Sequence, residues 1–399
     1  MMRLFSICLV IILTNSCKIN REHDTNDDIL LIEKAFNQLQ YASAVKKFDY
    51  ISKEKIFPRS TDKTGKLRLV DKKDWTSGFF PGVLWLMYDL TKENNWKGKA
   101  IEYTQVLESE KFNASNHDIG FKMMSSFGLG YKITNNKNYR EILIRSAKTL
   151  VTRFNENVGS IRSWDHNKDK WEFPVIIDNL MNLELLFWAW KETGDSVFYN
   201  IAVKHAKTTK KNHFRNDFST YHVVGYNSDS GKVVSKNTYQ GYADESCWAR
   251  GQAWALYGYT MIYRETQNPE FLKQAENIAN YIINIASLPK DYIPLWDFSL
   301  LDIEKEPRDT SAAAIIASAL FELSTFTEYN KTIYLQVANR IMESLSSNQY
   351  FNTLGENNGF LLKHATGHKP MNSEIDVPLI YADYYYLEAL SRKIKIKNN

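Results

Sequence analysis

Cysteine is nearly absent from this chain of 399 residues: it holds only Cys8, Cys17 and Cys247. So few thiols exclude a disulfide-stapled scaffold and a cysteine-rich zinc site. Other absences narrow the chemistry further. No His-Glu-x-x-His spacing offers metal ligands on one helix face. No glycine loop is built to cradle phosphate, and no Gly-x-Ser-x-Gly elbow presents a serine nucleophile. The net charge is only +4 and the lysines are scattered, so no basic stripe marks a nucleic-acid surface. No metal, no cofactor, no nucleic acid and no obligate protein partner is expected.

Long apolar runs are also missing. The longest N-terminal one, Leu4 to Leu13, is about ten residues and too short to span a bilayer. It follows Met1-Met2-Arg3 and precedes Thr14-Asn15-Ser16-Cys17. That arrangement resembles a bacterial lipoprotein signal. Residues 1–16 are expected to be the signal peptide, Cys17 the lipidated residue, and 17–27 a polar flexible tether. Cys17 is followed by Lys18-Ile19-Asn20 rather than an acidic run. A periplasm-facing membrane anchor is the expectation.

What is abundant is aromatic. With 23 Tyr, 21 Phe and 10 Trp, rigid faces are available both for a large core and for stacking on pyranose rings. Hydrophobic residues at 44% supply enough apolar surface for a sizeable core over residues 28–399. Amphipathic periodicity predicts helices over 28–48, 77–91, 95–109, 117–131, 137–154, 177–193, 195–210, 246–265, 269–286, 309–327, 330–346 and 376–395. Asn136 and Asp195 read as N-caps, the latter just after a Gly194 stop. Residues 219–224 and 232–238, around the turn-forming Asn227 to Gly231, predict a small hairpin. About twelve helices without a fixed sequence period argue for six pairs closing on themselves. The expected fold is all-α: an (α/α)6 barrel, or six-hairpin toroid, in a single domain with a small β-hairpin in a loop.

Asp178 lies in a segment that is apolar nearly all round, from Val175 to Trp190. A carboxylate there is costly unless it is paired or functional. Burial would raise its pKa and make it a proton donor near neutral pH. Helical spacing would place Asp178, Met181, Asn182 and Leu185 on one face. Asp118, beside His117, suits a helix N-cap but also supplies a second carboxylate for acid–base work on sugars. Arg250 and Trp254, four apart, would offer a fork for a carboxylate and a platform for a ring.

These pieces resemble the unsaturated glucuronyl hydrolases, glycoside hydrolase family 88. The resemblance is carried by Trp75 to Gly82, His117 to Phe121, Ile176 to Asn182, Ser219 to Val224, Gln240 to Gly258, Asp309 to Ala313 and Glu374 to Leu390, in family order along the chain. It implies an (α/α)6 barrel acting on a Δ4,5-unsaturated uronic acid at the non-reducing end of an oligosaccharide. It implies hydration of the C4=C5 vinyl ether, with Asp178 as general acid and base and Asp118 assisting. Trp75, Trp164, His222, Gln240, Arg250 and Trp254 match cleft positions, and His117 and Thr238 are expected beside the substrate. Tyr239 stands where some relatives have His. The segment His364 to Pro370 lies where relatives read the uronate and nearby sulfates, and it lacks a serine-rich version. Alternatives are an unsaturated rhamnogalacturonyl hydrolase of the same fold, a sugar epimerase, and a surface glycan-binding lipoprotein.

Overall fold

The computed structural model describes residues 26–41, 54–302 and 304–398. The expected signal segment, the site at Cys17 and the end of the first predicted helix lie outside them. Asn26 and Asp27, assigned to the tether, are already helical.

Six inner helical segments form a closed ring. Phe79–Thr91 packs on Ile380–Asn398, that helix on Thr310–Leu323, and that on Ala249–Thr266. Ala249–Thr266 touches Ile177–Asn182 and Leu183–Thr193, which meet Ile119–Met123. The continuation of that segment, through Leu129–Thr134, returns to Phe79–Thr91. Each inner helix has an outer partner, and the sixth pair joins the chain's ends. In it, Asp28 of the helix over 26–41 receives Lys393 and Lys397. The structure is therefore the (α/α)6 barrel expected.

Burial separates the two rings. In Ala249–Thr266 every residue from Ala249 to Ile262 is buried, which an amphipathic helix could not be. The outer Pro269–Asn284 buries Phe271, Gln274, Ala275, Ile278, Ala279 and Ile282, a single stripe. The caps are as expected: Asn136 accepts from the Asn138 N–H and Asp195 from the Val197 N–H, while Gly194 ends the helix before it.

Three elements differ from the expectation in ways that matter to the cleft. Asp178 does not sit in an α-helix. Phe173–Ile176 is a strand, and Ile177–Asn182 is a tight 3-10 segment before the helix begins at Leu183. Pro174 and the β-branched Val175 and Ile176 favour the extended form, which pairs with Val223–Tyr226. The predicted hairpin exists, Val223–Tyr226 with Val233–Asn237, but as two strands of a three-stranded sheet. The last helix starts at Ile380 rather than near 376, and Ser373–Val377 is a strand paired with Ala365–His368. Pro378 disfavours helical backbone at Val377.

Candidate active site

At one mouth of the barrel lies a cleft with about 200 Å³ of open space, walled by loops and short strands. Of the residues singled out from sequence, Trp75, His117, Asp118, Trp164, Asp178, Gln240 and Arg250 line it. His222, Trp254 and Thr238 stand behind its wall.

Gly120 allows its two carboxylate-bearing segments to meet. A Cβ at this position would lie 2.5 Å from the Asn182 Cα, so only glycine permits the approach. Asn182 seals the contact by accepting the Phe121 N–H at 2.8 Å. Asn182 is thus a clamp between segments and not a cleft residue sharing a face with Asp178.

Asp178 lies at the cleft floor with its side chain 12% exposed. Burial pushes its pKa up to about 7, and the Asp118 charge adds to the rise. Arg250 opposes this, as does the Trp254 indole, which lies close by but outside hydrogen-bond geometry. Asp178 Oδ2 has no hydrogen-bond partner. Facing it at 3.7 Å is His222 Nε2. His222 Nδ1 accepts the N–H groups of Tyr239 and Gln240, both at 3.1 Å. That fixes the neutral tautomer, with the Nε2–H aimed at Asp178. Burial holds the His222 pKa far below its ordinary value, so the ring stays neutral.

Asp118 is more open, with its side chain 19% exposed, and His117 Nε2 lies 3.3 Å from its Oδ1. It precedes the helix Ile119–Met123 but makes no side-chain cap bond. The capping role its sequence position suggests is therefore not used.

Arg250 departs from the expected carboxylate fork. Nη1 donates to Asp309 Oδ2 at 2.8 Å and to the Thr366 carbonyl at 2.5 Å, and Nη2 donates to the Gly367 carbonyl at 2.5 Å. Only Nε lacks a partner. Its guanidinium spans the Trp248 and Tyr381 rings. Trp254 is likewise no open platform: it is fully buried, edge-on to Phe121 and Tyr385. Its indole N–H, without a partner, is the part that lies near Asp178. Thr238 serves the loop, with Oγ1 accepting the Gly241 N–H at 2.7 Å.

Trp75 and Trp164 form aromatic walls. Trp75 packs with Phe79, Phe121 and Tyr381. Trp164 stacks on His166 at 5.1 Å and meets Tyr239. Arg59, His166, Trp248, His368 and Glu374 also line the cleft; sequence reasoning passed over Arg59 and His166 and held the other three only within longer segments, without a role of their own. The hairpin Ala365–His368 with Ser373–Val377 brings in the last two, and its short strands carry no periodic signal.

Unpartnered buried polar atoms gather here: Asp178 Oδ2, His222 Nε2, Arg250 Nε, Trp254 Nε1, Trp164 Nε1 and His368 Nε2. Buried polar groups are usually hydrogen-bonded, so a cluster of open ones around a cleft suits occupation by a polar ligand or ordered water. With aromatic walls, the set suits a small, acidic, ring-shaped ligand. Among the described residues no group of three or more His, Cys, Asp or Glu could hold a metal ion.

A model of Glycosyl Hydrolase Family 88 matches residues 51–393. The chain is 51% identical over 360 residues to an unsaturated glucuronyl hydrolase of Formosa agariphila, covering 89% of this chain and 90% of that one. It is 32% identical over 372 residues to an unsaturated chondroitin disaccharide hydrolase of Streptococcus pneumoniae, covering 91% of each. The crystal structure of an unsaturated glucuronyl hydrolase specific for heparin superposes with a TM-score of 0.88 at 47% identity, over 92% of this chain and 97% of that one.

Proposed function

The chain belongs to glycoside hydrolase family 88, and on that premise we propose how its cleft performs the reaction. The protein is an unsaturated glucuronyl hydrolase: it removes a Δ4,5-unsaturated uronic acid from the non-reducing end of an oligosaccharide. The observation that carries the mechanism is a carboxyl group at the cleft floor with its pKa raised to about 7 and one oxygen unpartnered. An acid so poised is protonated often enough to give its proton and ionised often enough to take one back.

The ring rests between Trp75 and Trp164. The Arg250 charge, with its free Nε–H, and the Trp254 indole N–H receive the uronate carboxylate. Asp178 gives its proton to C4 of the vinyl ether. Water adds at C5 and returns a proton to the Asp178 carboxylate. The C5 hemiketal then opens, leaving at C1 a hemiacetal that expels the next sugar. The His222 Nε2–H faces the carboxylate in its ionised stage, and Asp118 stabilises the positive charge that develops on the ring. No covalent intermediate is required.

The test is loss of the C4=C5 ultraviolet absorbance on disaccharides made by polysaccharide lyases. Heparin-derived substrates lead the panel because the similar heparin-specific enzyme shares 47% of its residues. Asp178→Asn is expected to lower kcat by about a thousandfold or more while still binding substrate. Full activity in that variant would refute the assignment.

Cys17 is proposed to carry the lipid that anchors the enzyme to the membrane, facing the periplasm. Support comes from the short apolar run and the small residues before Cys17. In a producing bacterium Cys17→Ala should move the protein from the membrane fraction to the soluble one and abolish labelled palmitate uptake. Continued membrane association with labelling would exclude it.

A further inference from the structure

Arg59 lines the cleft, yet its donors are spent on the protein's own acids. Nε and Nη2 form a bidentate pair with Glu374, both at 2.8 Å. Nη1 reaches both Asp74 oxygens, at 3.0 and 2.8 Å. It is therefore poorly placed to grip a substrate carboxylate, and its two partners show what it does instead.

Asp74 immediately precedes the stacking residue Trp75. It also fixes the backbone on the other side, accepting the Thr76 N–H and hydroxyl at 2.9 and 2.7 Å. Arg59 itself lies 5.9 Å from the Trp75 ring. Glu374 belongs to a different element, the strand Ser373–Val377 paired with Ala365–His368. Its side chain is 3% exposed and takes two further donors, Ser60 Oγ at 2.8 Å and Arg68 Nη1 at 3.0 Å. Its backbone is held at φ 54°, a region non-glycine residues avoid. Gly367 packs so closely that a Cβ there would meet the Glu374 Cβ and Oε2 at 2.8 Å. The Gly367 carbonyl is in turn gripped by Arg250 and Gln240. Beside it, His368 lines the cleft with Nε2 unpartnered.

We propose that Arg59 is a positioning residue for substrate binding, tying the Trp75 wall to the hairpin 365–377 and so setting the separation of Trp75 and His368 across the sugar. This rests on the reading of the cleft as the uronyl site. A bidentate fork suits the task, because a lysine cannot hold two carboxylates in fixed planes.

The experiment compares Arg59→Met, Arg59→Lys and Glu374→Gln with the native chain. It reads kcat and KM on an unsaturated disaccharide, the pH profile, and hydrogen exchange of the peptide spanning 365–377. Arg59→Met is expected to raise KM by about tenfold with kcat changed less than about threefold. The alkaline limb set by Asp178 should stay in place, and exchange across 365–377 should rise. Arg59→Lys should recover only part of the loss, and Glu374→Gln, which keeps the side chain's shape, should raise KM in the same direction. A fall in kcat with KM unchanged would overturn the proposal in favour of a direct part in the chemistry. Unchanged exchange in Arg59→Met would also overturn it. An inactive native chain would instead refute the activity, leaving the exchange result to judge the tie between the walls.

Discussion

At the scale of single residues, Asp178 works because it is uncomfortable. Its carboxyl is raised from 3.8 to about 7, chiefly by burial. The catalytic form is the protonated one, so kcat/KM should be level on the acid side of about pH 7 and fall above it. Stability must show the same group. Between about pH 4 and pH 7 the folded chain holds a proton that the unfolded chain has released, so stability declines as pH rises through that window. The decline amounts to at most about 4 kcal/mol. Asp178→Asn, with no proton to lose, should gain in melting temperature over the native chain at pH 8 but hardly at pH 4. Equal differences at both pH values would contradict the raised pKa. This residue was readable from sequence because an isolated acid in an apolar run has few innocent explanations. Arg59 was not, since its meaning lies in Glu374, 315 residues away. Arg250 was readable as important and misread in detail. Nothing in its spacing foretells that Asp309 and two carbonyls of the 365–368 strand occupy its fork.

At the scale of elements, the helices were legible and the strands mostly were not, for one physical reason. A helix satisfies its backbone locally, so its signals sit in one stretch: a period of 3.6, a cap and a stop. Lys137–Val151 and Ser196–Asn212 show the period and the cap, and Gly194 supplies the stop of Leu183–Thr193. A four-residue strand such as Phe173–Ile176 is defined by its partner, and Val223–Tyr226 lies about fifty residues downstream. The cleft is built mainly from such pieces, so its wall is the least legible part of the fold. The inner segment near Asp118 adds an irregularity that periodicity could not reveal: a π-helical stretch, Met124–Gly128, between Ile119–Met123 and Leu129–Thr134. Such stretches favour functional sites, and this one follows directly on the segment that carries Asp118.

At the scale of the molecule, buried histidines tie the active-site strands and loops to the barrel, and acid should weaken that tie. His205 Nδ1 accepts the Ile161 N–H at 3.0 Å, and His213 Nε2 donates to the Val175 carbonyl at 3.0 Å. His222 accepts two N–H groups of the loop carrying Gln240. Burial lowers the first two pKa values to about 3 and about 4, and lowers His222 and His117 as well. Groups depressed in this way stabilise the fold fully above the unfolded value of about 6.5 and lose that contribution as pH falls. By pH 4 His205 and His213 should each have cost about 3 kcal/mol. Asp178 runs the other way and recovers about 3 kcal/mol over the same range. Salt-bridged carboxylates such as Glu322 and Glu374, whose pKa values are held below the ordinary range despite burial, begin to fail only below about pH 5, where the unfolded groups take up protons. Melting temperature measured by calorimetry at constant ionic strength should therefore already fall between about pH 6.5 and pH 5, before the carboxylates titrate. The fall should be steeper in Asp178→Asn, where one opposing group is gone and only others such as Glu184, also raised by burial, remain. A melting temperature that stays level across that range in both proteins would mean that these imidazoles reach water before the barrel unfolds.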